Sequence, residues 1–228
     1  MTTYNHEKSV RCVVCGTSGP QIILTSSNTL EGPDLDTRPG EMLRSTMEHW
    51  LQQCHSCGYV AEDLTEERPD ASAVVSSPGY KTLLHSTNYP DLARKFLLKA
   101  HMDQVLGAPH DAAPSLLSAV WACDEYGSPT QATACRKQAL ALIQGAFEHN
   151  SFLFEDKGTT VAILTDLLRR AALFEQSDTL IDDQAPIIAE PLIRKLLCFQ
   201  KYLIGRRDVG MHKISEAHAF GGDPPEAN

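Results

Sequence analysis

Two matched pentapeptides decide the fold of this chain: CVVCG at residues 12–16 and CHSCG at residues 54–58. In each, two cysteines three positions apart on a tight turn can direct both sulfur atoms at one ion, and the glycine that follows permits the backbone conformation of the turn. Two such turns supply four thiolates, which form the closed ligand set of a structural zinc site. The sequence therefore predicts one structural Zn²⁺ held by Cys12, Cys15, Cys54 and Cys57.

Other interpretations of the cysteines remain open. Disulfides are disfavoured in a reducing cytosol, and a redox-active C-x-x-C pair normally occurs singly beside a βαβ pattern. Thiol redox chemistry and another metal stay as alternatives. His49 and His55 lie near the second pair and could replace a sulfur, although histidines in such places are more often bystanders. The remaining cysteines fall in apolar, helix-like runs and are predicted to be core residues: Cys123, Cys135 and Cys198.

Size and hydropathy indicate an ordinary globular protein. The chain has 228 residues, of which 42% are hydrophobic. Its start does not resemble a signal peptide, and no apolar run approaches the roughly 18 residues that would span a bilayer. We therefore expect a cytoplasmic protein that does not engage a membrane.

The charge distribution argues against nucleic acid as a partner. The formal net charge is -9, and residues 1–68 contain ten acidic side chains against five basic ones. Nucleic-acid affinity comes largely from counterion release at clustered Lys and Arg. In residues 190–213 basic side chains instead outnumber acidic ones. This excess indicates either a solvated helix face or a surface that docks an acidic partner.

The zinc ribbon contains a long insertion. Short strands are predicted near residues 21–25 and 50–53, but 38 residues separate Cys15 from Cys54, more than the roughly 20 of compact ribbons. Its centre, Gly32 to Arg44, has the Pro, Gly and Asp content of an ordered loop, which could either cover the ribbon or reach toward the helices. In this loop Arg38 or Arg44 is expected to pair with Asp34 or Asp36, two carboxylates that are too few to bind a hard cation. Any function of the ribbon's own is expected in this loop.

Four regions follow from the patterns along the chain. We predict a zinc-ribbon domain over residues 1–68, a linker over 69–88 with one short helix near 81–85, a helical domain over 89–210, and a flexible tail over 211–228. Helix starts are clearest at Pro129 and near Pro191. The predicted fold class is α+β, mainly α, with a small N-terminal ribbon of short β-strands.

Two windows of the helical region fit the tetratricopeptide pattern of small and large residues, one from Phe96 to Ala119 and one from Val161 to Ile181. Gly107 and Ala172 occupy the same position in the two windows and lie 65 residues apart, close to two periods of about 34 residues. A generic helical bundle is the alternative.

Three segments together resemble a known family. They are GPDLDTRP at residues 32–39, RSTMEHW at 44–50 and CHSCGYVAEDL at 54–64, with CVVCG upstream. The family is bacterial and uncharacterised, a domain of unknown function whose members look like a split zinc ribbon followed by tetratricopeptide-like helices. The resemblance is specific from Cys12 to about Leu64. It implies metal ligation by the same four cysteines and no activity.

Three function classes remain in view. The first is a non-catalytic zinc-binding module whose helical scaffold binds a protein or peptide partner. The second is a nucleic-acid-binding zinc ribbon that uses Arg194, Lys195, Arg206 and Arg207. The third is an enzyme that acts through the insertion loop, although the chain lacks nucleophile-elbow, H-E-x-x-H, phosphate-loop and dinucleotide motifs. We therefore predict no catalytic residue and no organic cofactor. The sequence specifies neither the partner nor the oligomeric state.

Overall fold

The computed structural model describes residues 3–221, apart from the side chains of residues 4–6. The chain forms two compact units. One comprises residues 1–30 and 40–135, and the other comprises residues 31–39 and 136–228. The predicted fold class, mainly α with a small N-terminal β component, is confirmed.

Two antiparallel hairpins form the ribbon of the first unit. Strand β1 (Thr3–Arg11) pairs with β2 (Ser18–Ser26), and β3 (Gln52–Gln53) pairs with β4 (Val60–Ala61). Strands β2 and β3 lie where the sequence predicts strands. Strand β1 carries no apolar alternation that would predict it, and its Glu7 and Lys8 are exposed.

Five helices begin in the first unit: α1 (Ala71–Ser76), α2 (Pro78–Leu84), α3 (Asp91–Val105), α4 (Pro109–Glu125) and α5 (Pro129–Glu148), which continues into the second unit. The segment predicted as a linker is therefore mostly helical. Its helices form because Val74, Val75 and Tyr80 are buried. Helix α2 starts where the Ser77 hydroxyl accepts a hydrogen bond from the Tyr80 N–H (3.3 Å).

The ribbon packs on α3 within this unit. The Lys95 ammonium donates to the Glu48 and Leu51 carbonyls, at 2.9 Å each. A 3₁₀ helix (Arg44–His49) precedes β3, and Trp50, next in the chain, packs edge to face against Phe96 of α3. The cysteine turns and helices α1–α4 therefore share one compact unit.

The second unit is built around α6 (Lys157–Arg170), α7 (Phe174–Gln184), α8 (Pro191–Gly205) and α9 (Ile214–Ala219). A 3₁₀ turn at Ala185–Ile187 follows α7. Helix α9 falls in the predicted flexible tail, where Ala217 is buried. Residues 222–228 of that predicted tail lie outside the described residues.

The α3–α4 and α6–α7 pairs share one turn geometry. Gly107 and Ala172 both have positive φ, +73° and +60°. In each turn the next residue's N–H donates to a carbonyl five residues earlier: Ala108 to Asp103 and Leu173 to Leu168. This is the Schellman pattern of helix ends. The same pattern also ends α4, α5 and α8, so it is a general feature of the helix ends here, and the tetratricopeptide assignment stays a prediction. Within residues 3–221, no helix has the length and apolar character needed to cross a membrane.

Candidate metal centre

The two C-x-x-C turns have the same backbone hydrogen bonds. In the first, the Cys12 carbonyl accepts from the Gly16 N–H (2.8 Å) and the Cys12 N–H donates to the Thr17 carbonyl (2.9 Å). In the second, the Cys54 carbonyl accepts from the Gly58 N–H (2.9 Å) and the Cys54 N–H donates to the Tyr59 carbonyl (2.8 Å). Both glycines have positive φ, +73° and +77°, which L side chains rarely adopt. The glycine predicted to permit each turn thus has the backbone conformation that favours glycine.

Each turn connects the two strands of a hairpin. Arg11 pairs with Ser18 across the first turn, and Gln53 pairs with Val60 across the second. The Gln21 side-chain amide donates to the Gln53 carbonyl (3.0 Å), so β2 and β3 are also joined. The hairpins thereby direct four cysteines, distant in sequence, toward one point.

The four predicted cysteines come together at that point. Their sulfur atoms all lie within 4.8 Å of one another. The Cys12 and Cys57 sulfurs are 3.8 Å apart, and those of Cys15 and Cys54 are 3.6 Å apart. Sulfurs at about 2.3 Å from a central tetrahedral ion would lie about 3.8 Å from one another. The cluster could therefore hold a metal ion with little rearrangement.

The four sulfurs lie in different surroundings. Cys12 and Cys54 are buried, Cys57 is half-buried and Cys15 is exposed. Burial raises the pKa of the Cys12 and Cys57 thiols, whereas hydrogen bonds from Thr17 lower the pKa of Cys15 to about 6. Metal ligation requires thiolates, so an ion here would stabilise charge on sulfurs that burial otherwise keeps protonated.

Helix α2 supports the second turn. The Tyr80 hydroxyl, fully buried, donates to the Gly58 carbonyl (3.0 Å). A Cβ at Gly58 would also lie 2.8 Å from Leu84 Cδ1. These two supporting residues were not identified from the sequence, because they lie in the segment whose composition indicates a linker.

The other candidates for ligation lie apart from the four sulfurs. Neither His49 nor His55 belongs to the cluster, and the His55 ring instead lies against Gly19. Cys123 and Cys135 are buried between helices with their sulfurs 3.9 Å apart, as predicted for core residues. Cys198 is only half-buried.

Part of the insertion loop lies with the C-terminal helices, an outcome that the sequence left open. Residues 31–39 belong to the second unit, where Asp34, Asp36 and Arg38 are buried. Arg38 pairs with Asp34 (Nε to Oδ2, 2.8 Å), as predicted, but both groups are buried rather than exposed.

Backbone pairing and side-chain packing hold the loop in that unit. The Leu35 N–H donates to the His212 carbonyl (2.9 Å), and the Ile214 N–H donates to the Pro33 carbonyl (3.0 Å). The Leu35 side chain packs into a cluster with Leu196, Phe199, Leu203 and Ala217. The carboxylates thus serve in packing and ion pairing within this unit, and the loop does not present them as an open cation site.

Comparison of the chain with protein-family models, with curated proteins and with solved structures finds no match.

Proposed function

We propose that this protein is a non-catalytic protein-interaction module, in which one structural Zn²⁺ is bound by Cys12, Cys15, Cys54 and Cys57 and the helices bind a protein or peptide partner. The observation that carries the proposal is the sulfur geometry, with separations of 3.6 and 3.8 Å between pairs drawn from the two turns. Tetrahedral thiolate sets select zinc or iron, and a mononuclear Cys₄ site between two knuckles is typical of structural zinc.

The ligand set supports a structural role. Four sulfurs complete a tetrahedral shell, so an ion held by all of them has no position for water or substrate. The ion would instead join the two hairpins. In a ribbon this small, metal-binding free energy is largely folding free energy.

The basic end of the chain supports a protein partner over nucleic acid. Several of its cations are bound within the second unit: Lys201 pairs with Asp178 and Asp182, Lys213 pairs with Glu31, and the Lys195 ammonium donates to the His218 carbonyl (2.8 Å). Paired cations release fewer counterions on binding a polyanion. If the protein were retained on a heparin column at low salt, the nucleic-acid alternative would be favoured. We expect it to pass through the column without binding.

The helix pairs α3–α4 and α6–α7 are proposed to act as tetratricopeptide-like repeats, and the support for this is the pattern of small and large residues from Phe96 to Ala119 and from Val161 to Ile181. Stacked helix pairs of this kind present concave faces to peptides.

Metal content tests the proposal directly. We expect native mass spectrometry of the purified protein to find about one zinc per chain. Cys54→Ser should lose it, whereas Cys198→Ser, which removes a thiol outside the cluster, should keep it. Iron at a similar stoichiometry, or zinc retained by Cys54→Ser, would contradict the assignment.

A further inference from the structure

A groove in the second unit lies between α5, α6 and α7. Its volume is about 440 Å³. The floor is apolar: Leu164 and Leu168 of α6 line it, with the half-buried Phe147 of α5 and Leu180 of α7. Phe147 and Leu180 also pack against the buried core of this unit, so the floor of the groove is continuous with that core.

The rim of the groove is acidic. Glu148, Glu175 and Asp183 line it, and every charged residue described in the lining is negative. Arg207 and Lys157 lie near residues of the groove. Arg207 Nη1 is 3.7 Å from Glu175, and Lys157 Nζ is 5.9 Å from the Phe147 ring centroid. The Arg207–Glu175 pair is exposed, 69% and 82%, and such pairs contribute little because water and salt screen them.

The carboxylates are spaced along the groove. Glu175 and Asp183 lie on the same helix eight residues apart, which is about 12 Å along its axis at 1.5 Å per residue. Two turns of a bound helix are about 11 Å long. A segment of that length could place a cation near each carboxylate and an apolar side chain over Leu180.

We infer that this groove binds a short amphipathic segment of another protein, about two helical turns long, with a Leu- or Phe-sized side chain facing the floor and Lys or Arg at each end. The inference rests on the proposed interaction function and names the chemistry of its partner. Charge complementarity selects this occupant, because an acidic rim repels polyanions and anionic membranes while it attracts a basic peptide.

A synthetic peptide can test the groove in the full-length protein. The probe is a fluorescein-labelled helical peptide in an alanine and glutamine background. It carries two lysines eight positions apart, with a phenylalanine and a leucine between them on the same face. Fluorescence anisotropy measures its Kd. We expect binding that weakens as salt is raised, because the carboxylates are exposed.

Paired variants locate the site. Glu175→Gln with Asp183→Asn should weaken binding about tenfold through loss of two ion pairs. Asp178→Asn with Asp182→Asn removes the same charge from the same helix, but these carboxylates pair with Lys201 and do not line the groove. This control should leave the Kd within about twofold.

Several results would overturn the inference. The first is that the probe does not bind. The second is that a peptide with glutamates in place of the lysines binds as tightly as the probe. The third is that the two double variants lose the same affinity for the probe. Analytical ultracentrifugation could also show that the protein is a dimer. If the Glu175→Gln, Asp183→Asn double variant were then a monomer, the groove would bind a second copy of the chain instead.

If the probe does not bind while the chain holds one zinc, only the groove assignment fails. If the chain lacks zinc, the metal-centre proposal fails whatever the probe does.

Discussion

The Asp36 carboxylate lies 2.8 Å from Arg170 Nη1, although the two residues are 134 positions apart in the chain. Both side chains are buried. Asp36 belongs to the insertion between the cysteine pairs and Arg170 ends α6, so this ion pair helps to join residues 31–39 to the helices of the second unit. The insertion between the two C-x-x-C turns is therefore a structural part of the C-terminal helical unit.

Replacing Asp36 by Ala should destabilise the second unit by about 3 kcal/mol, since it leaves the buried Arg170 charge without this carboxylate. Urea unfolding followed by circular dichroism measures the change. Asp182→Asn removes an exposed partner of Lys201 and should cost about 1 kcal/mol or less. Equal effects of the two substitutions would show that the buried pair has no special role.

The same carboxylate should give the fold a pH dependence. Burial raises the pKa of Asp36 to about 6, above its ordinary value of 3.8. Because the folded chain holds this proton more tightly than the unfolded chain, the contribution of Asp36 to the free energy of unfolding decreases as pH rises from about 4 to about 6. Above that range the contribution is constant. The full change is on the order of 3 kcal/mol.

Comparing the wild type with Asp36→Asn between pH 4 and pH 8 isolates this contribution, because the other titrating groups are common to both. The difference in unfolding free energy should vary below about pH 6 and level off above it. A carbon-13 titration that gives Asp36 a pKa below its ordinary value would contradict the expectation.

The two turn glycines should differ in their tolerance of a side chain. Gly16→Ala and Gly58→Ala both place a Cβ at positive φ, which costs about 1–2 kcal/mol. At Gly58 the Cβ would also meet the Leu84 side chain, whose Cδ2 is the nearest atom and whose Cδ1 lies at 2.8 Å, whereas at Gly16 the nearest atom is Arg11 Nη2 at 3.6 Å. Thermal unfolding should therefore show the larger loss for Gly58→Ala.

Leu84→Ala provides the control for this comparison. It should recover part of the loss in the Gly58→Ala background, because it removes the clashing methyl groups, and none in the Gly16→Ala background. Equal losses for the two glycine variants would rule out a close approach of Leu84 to the second turn.

Metal removal should affect the ribbon and its insertion differently. With a chelator present, we expect faster amide hydrogen exchange in 18–26 and 52–61, and in α2, whose Tyr80 hydroxyl bonds to the Gly58 carbonyl. Residues 34 and 35 should stay protected, since their N–H groups donate to carbonyls of Arg38 and His212 in the second unit. If amide exchange became faster to the same extent in residues 34 and 35 as in β2, the expected difference between the insertion and the ribbon would be contradicted.

The local features of the fold could be predicted from the sequence, because neighbouring residues determine them. The cysteine–glycine turns and the helix starts at Pro129 and near Pro191 are of this kind. The place of residues 32–39 could not be predicted. Pro, Gly and Asp are typical of exposed loops, and nothing near Asp36 in the sequence identifies Arg170 as its partner.

The polar strand β1 and the supporting residue Tyr80 were missed for a similar reason. Their roles depend on pairing with β2 and on packing against the second turn, and local composition does not specify either contact. The sulfur cluster, in contrast, follows from spacing within each pair plus the requirement that two pairs share one ion.

X-ray absorption at the zinc edge of the purified protein shows directly whether four sulfurs hold one zinc ion. We predict four sulfur scatterers at about 2.3 Å and no nitrogen or oxygen in the first coordination shell. A shell of three sulfurs with one nitrogen or oxygen at about 2.0–2.1 Å would contradict the Cys12, Cys15, Cys54 and Cys57 assignment. Such a shell would indicate a histidine ligand or an open, water-bearing position.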